Sequence, residues 1–103
     1  MQQAIDFNEI FDRLERDGRS EETMQHGGVD VRLVRVVSGG EGRWDHHDRT
    51  AEIVVVWSGD FTVEFSDHTL LLAKGQCCVV PMGTKHRGTS QAGANVILYQ
   101  QSF

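Results

Sequence analysis

Four side chains in the sequence are of the kinds that bind divalent metals: Asp45, His47, Glu52 and His86. Asp45 and His47 stand two residues apart, so on a strand they point to one face while His46 points away. If that face is interior, a carboxylate and an imidazole converge on one spot. Glu52 opens the apolar run Ile53-Val54-Val55-Val56-Trp57. A carboxylate there must either reach solvent or find a cation. His86 lies just past the Pro81-Met82-Gly83 turn, at the rim of a neighbouring strand. Other candidates are weaker. His26, His46 and His68 read as surface residues, and Trp44 and Trp57 as core or rim residues rather than a binding platform. Cys77 and Cys78 are adjacent on an apolar run and point to opposite faces, which suits two separate thiols, one able to face a cavity.

Strands and turns must hold these residues in place. Ala51 to Trp57 is a nearly all-apolar strand, and Ser58-Gly59-Asp60 after it is a strong turn signal. Phe61-Thr62-Val63-Glu64-Phe65 alternates cleanly and is predicted to pair back as a hairpin. Val29 to Val37, Arg43 to His47, Thr69 to Ala73, Gln76 to Val80 and Asn95 to Gln100 are the other predicted strands. Arg19 to Gly28 is polar and reads as irregular. A single helix is predicted from Asp6 to about Asp17, because Phe7, Ile10, Phe11 and Leu14 recur at the spacing of one apolar face. Asp6 can cap it, with Glu9 three residues on reaching back, and Gly18 can stop it. Seven or eight strands at regular intervals argue for an all-β sandwich or barrel, closed at one end or side by the helix.

Length and charge narrow the function. The chain has 103 residues, enough for one domain with one core. Ten basic against fifteen acidic residues give a formal charge of −5, the wrong sign for holding nucleic acid. No apolar run approaches the roughly 18 residues of a membrane span. The first residues lack a basic flank and apolar stretch, so a cytoplasmic location is expected.

The segment Gly39 to Gly59 resembles the first cupin motif, in which a glycine precedes two histidines one residue apart and a glutamate and a closing glycine follow. Gly39, His47, Glu52 and Gly59 keep that spacing. The segment Gly75 to His86 is similar to the second cupin motif at Gly75, Pro81, Gly83 and His86. The resemblance implies a single cupin domain over residues 1–103. Its expected fold is all-β, a double-stranded β-helix jelly-roll barrel with a short N-terminal helix, and its expected assembly is a homodimer. The chain departs from the pattern twice. Ser90 replaces the usual closing asparagine of the second motif. Asp45 stands where most metal-binding cupins carry the first histidine. Either Asp45 serves as an oxygen ligand, which strand register favours, or a bulge turns His46 inward. With Asp45, His47, Glu52 and His86 the shell would be hard and anionic, suiting Mn, Fe, Zn or Ni. If Asp45 only hydrogen-bonds a ligand, His47, Glu52 and His86 remain, with open positions.

These residues lead to a metal-dependent enzyme acting on a small polar molecule, of isomerase, lyase, hydrolase or dioxygenase type. Glu52 or a metal-bound water would act as base. The alternative is a non-catalytic module that binds or senses a small ligand, and a third reading is a purely structural, dimer-forming barrel. Fold analogy alone does not choose among them.

Overall fold

The computed structural model describes residues 3–102. One helix, α1 (Phe7–Asp17), precedes seven strands: β1 (Glu21–His26), β2 (Val29–Val36), β3 (Glu52–Phe65), β4 (Thr69–Ala73), β5 (Cys77–Val80), β6 (His86–Thr89) and β7 (Ala94–Gln101). All strand pairs are antiparallel. The sheet order is β1-β2-β7-β3-β4, with β5 and β6 also pairing with β3.

This topology corrects the expected double-stranded β-helix jelly-roll barrel. A barrel needs a ladder that returns to its start. Here the path ends at β1 on one side and β4 on the other, and no pairing among the described residues joins them. The architecture is an open all-β sheet with an N-terminal helix, and β-barrel does not describe it. One physical cause lies in the segment 41–47. Arg43 to His47, read as a strand from the sequence, makes no continuous ladder. It touches β6 through two isolated bridges, Glu41 with Thr89 and Asp45 with His86. Gly39 and Gly40 just before it, and Gly42 within it, leave too few side chains to register a strand against its neighbour.

The long strand β3 is the second departure from the sequence reading. Ser58-Gly59-Asp60 is not a hairpin turn. β7 pairs across it, with Val56 opposite Val96, then Ser58 opposite Asn95 and Gly59 opposite Ala94. Trp57 is thus an extra residue, a bulge. An inserted residue reverses the inside and outside parity of a strand. Val54 and Val56 are buried before the bulge, and Phe61 and Val63 after it. Both halves of β3 therefore feed one core, together with Leu72, Val80, Ala94 and Val96. Gly59 keeps the positive φ (81°) that made it look like a turn residue. It also lets β7 approach: a Cβ there would lie 2.2 Å from the Gly93 carbonyl oxygen.

A second core lies on the opposite face, under α1. Asp6 Oδ1 accepts the amides of Asn8 and Glu9, and Gly18 ends the helix in the left-handed conformation. Ile10, Phe11 and Leu14 pack on Val31, Leu33 and Ile97. Trp57 joins them edge-on to Phe7, its indole N–H donating to Asn8 Oδ1 at 2.8 Å. Arg13 also clamps Glu22 of β1 with two bonds of 2.8 and 2.9 Å. That strand was read as irregular because it is polar and largely exposed on both faces. No helix among the described residues is long and apolar enough to cross a membrane.

Candidate metal centre

Glu52 is the first residue of β3, and its parity with Val54 and Val56 turns it inward, where it is only 4% exposed. It does not reach solvent. Its two carboxylate oxygens each face a different imidazole: Oε2 lies 3.0 Å from His47 Nε2 and Oε1 lies 3.3 Å from His86 Nε2. His86 opens β6, and the two imidazole rings sit 5.8 Å apart. His47 is tied at its backbone, where its carbonyl accepts the Gly83 amide at 2.6 Å. The glycine turn after Pro81 thus sets both histidines. One ligand-type atom from each of His47, Glu52 and His86 falls within 4.8 Å of the others.

The protonation of His86 decides what this cluster can hold. Its Nδ1 lies 3.0 Å from the Thr84 carbonyl oxygen, which can only accept, so Nδ1 carries a proton. In the neutral ring Nε2 is then a bare lone pair aimed at a carboxylate oxygen. That contact is repulsive unless a positive charge lies between the two atoms, either a second proton or a metal ion. The proton alternative raises the His86 pKa, chiefly through the Glu52 bond and against the opposing effect of burial. The metal alternative uses the same geometry, and a carbonyl holding the far nitrogen is the outer support that metal-bound histidines need. The donor set, two imidazole nitrogens and a carboxylate, fits a divalent transition ion.

Asp45 lines the same pocket, but it lies outside the three-residue cluster. Its backbone bridges His86, with both N–H···O distances 2.9 Å, and its Oδ1 accepts the His46 amide at 2.8 Å. His46 is exposed and meets Asp48 at 3.3 Å. Although the segment is not a strand, Glu41, Gly42, Arg43, Asp45 and His47 line the cavity while Trp44 and His46 do not. Trp44 is 42% exposed at the rim with Lys85 and Arg87 over its ring, and Trp57 belongs to the helix-side core. Cys77 and Cys78 are both free; burial, with Cys77 and Glu52 nearby, pushes the Cys78 thiol up.

The cavity beside the cluster has a volume of about 830 Å³. Val54, Phe61, Val63, Val96 and Leu98 form its apolar wall. One residue of this neighbourhood escaped the sequence reading. Gln100 stands directly opposite Glu52 in the β3–β7 ladder, and its Oε1 is buried without a hydrogen-bond partner. An orphaned acceptor beside the cluster is a position where a bound cation or its water would be satisfied. The signal was present, since Val96, Leu98 and Gln100 share one parity and a polar residue ends an inward apolar stripe.

Comparisons with known proteins identify the fold and the family. The model of the family described as Cupin domain matches residues 32–98. Among solved structures, a cupin-2 domain containing protein from Shewanella frigidimarina is 22% identical with a TM-score of 0.83, over 95% of this chain and 94% of that one. Protein NMB1881 from Neisseria meningitidis is 21% identical with a TM-score of 0.86, over 97% and 100%. KdgF from a Halomonas species is 22% identical with a TM-score of 0.71, over 81% and 78%. At such identities the likeness is one of fold. The uncharacterized protein YdbB of Bacillus subtilis is 36% identical over 61 residues, 58% of this chain and 52% of that protein, so the match spans about half of that relative. The matched family region holds His47, Glu52 and His86 and covers more than half of the sequence, and the chain belongs to the cupin family.

Proposed function

We propose that this cupin holds one divalent transition ion, of the Mn, Fe, Ni or Zn kind, and acts with it on a small polar molecule in the adjoining cavity. His47 Nε2, His86 Nε2 and the Glu52 carboxylate are the proposed donors, and Asp45 the proposed fourth. The observation that carries this reading is the buried His86 ring, whose Nδ1 faces the Thr84 carbonyl while its Nε2 faces Glu52. When bound, the ion supplies Lewis acidity toward a carbonyl or carboxylate oxygen of the ligand. The chain's own residues do the rest. The valine and leucine wall offers the ligand an apolar surface, and Glu52, with one oxygen directed at each histidine, is the proposed group for moving a proton. Isomerase, lyase, hydrolase or dioxygenase chemistry would each use that arrangement. A homodimer is part of the proposal, supported by the outward apolar pair Ile53 and Val79, cross-strand neighbours that are 40% and 58% exposed.

The test is elemental analysis of protein purified without chelator, with circular dichroism to confirm folding. A stoichiometric ion is expected in wild type and its loss in His47→Ala and His86→Ala. Asp45→Ala should weaken metal retention about tenfold or more if the carboxylate ligates, and leave it unchanged if Asp45 only biases His86 electrostatically. A folded wild type that neither retains metal nor takes up Mn, Fe, Ni or Zn would sink the metal reading.

A further inference from the structure

The cavity collects the chain's arginines. Four of the eight, Arg32, Arg35, Arg43 and Arg87, line it, against four of the fifteen acidic residues. The formal charge of −5 therefore lies wholly outside the pocket, whose arginines and carboxylates balance. A divalent ion would make the pocket the positive region of an acidic protein. The arginines are not equally engaged. Arg32 meets Glu21 at 2.6 Å, and Arg87 is held by Glu64, with Glu41 at 3.6 Å. Among the described residues neither the Arg35 nor the Arg43 side chain has a hydrogen-bond or ion-pair partner, and of the two only Arg43 lies on the segment that carries Asp45 and His47. It lines the cavity together with Asp45 and His47 on the bridged segment 41–47. Arg43 and His47 are four residues apart, at most about 13 Å along the chain, and an arginine side chain reaching back covers part of that distance.

We propose that the ligand of this pocket is a small organic anion with two acidic ends, one meeting the metal and the other paired with Arg43. This rests on the metal reading above for the first contact, while the Arg43 contact stands on its own. A guanidinium presents a planar fork of donors that matches a carboxylate in two parallel bonds. The apolar wall between the two ends suits a short hydrocarbon spacer. Arg32, on β2 opposite cavity-lining Leu98, bounds the far wall, with an exposed partner that a ligand carboxylate can displace.

The test is titration calorimetry of Mn(II)-loaded protein with the dicarboxylates from succinate to pimelate, each compared with its own monoamide. The monoamide keeps length and shape and removes one charge. At least one dicarboxylate should bind tenfold or more tightly than its monoamide. That preference should vanish in Arg43→Gln and be partly kept in Arg43→Lys, with Mn(II) uptake unchanged in both. Equal binding of every diacid and monoamide, or a preference that survives in Arg43→Gln, would overturn the proposal. If wild type takes up no Mn(II), the same comparison on metal-free protein separates the two ideas. An Arg43-dependent preference there supports the anion subsite without the metal, and its absence overturns the subsite as well.

Discussion

His86 is held at both ends, by the Thr84 carbonyl at Nδ1 and by the Glu52 carboxylate at Nε2. In chelated protein this stabilises the imidazolium, so its folded pKa is raised above the unfolded value. A raised folded pKa contributes stability that is full below the unfolded value, near about 6.5, and is lost as pH rises through the folded value. Thermal melts of EDTA-treated wild type should therefore fall from about pH 6 upward, and this decline should be missing in His86→Gln. A flat wild-type profile, or an identical decline in the variant, would count against the assignment. Added metal should show the opposite trend, its affinity growing with pH because the ion displaces that proton. The convergence of His47, Glu52 and His86 was legible because the motif spacing brings their segments together and strand parity turns Glu52 inward. The Asp45 carboxylate was not, because parity says nothing of the rotamer that takes it to the His46 amide.

At the scale of elements, apolar pattern was a good guide and glycine an ambiguous one. β2, β5, β7 and α1 were legible because each buries a periodic face, and β4 because a short apolar run lies between two turn signals. β1 was not, since a polar edge strand has no buried stripe to read. Gly59 carried a turn signal because it has the positive φ a turn needs, yet the structure uses that freedom for a bulge inside β3. The two uses differ in what a side chain would meet. Gly75, with φ 84°, has open space around it, whereas a Cβ on Gly59 would strike β7 backbone. Gly75→Ala should cost about 1–2 kcal/mol, the left-handed backbone penalty alone. Gly59→Ala should cost more, about 3 kcal/mol or above, because strain and a backbone clash add. Urea denaturation of the two variants checks this; equal costs would mean that β7 yields easily at the bulge.

For the whole molecule, family resemblance gave the layout of strands but misjudged closure. Which ladders join depends on hydrogen bonds between segments far apart in sequence, and nothing in local pattern shows that residues 41–47 stop at two bridges. The open sheet also leaves apolar surface on its outer face, including Ile53 and Val79. If that face pairs with a second copy, sedimentation should give a dimer in wild type and a folded monomer in Val79→Asp; a wild-type monomer at micromolar concentration would end the homodimer reading. β3 pairs with β7 and β5 through one half and with β4 and β6 through the other. Neither half can fray on its own without unzipping the strand that begins at Glu52. Opening of the pocket wall is thereby coupled to global unfolding, so the amides of β3 should exchange with solvent more slowly than the rest.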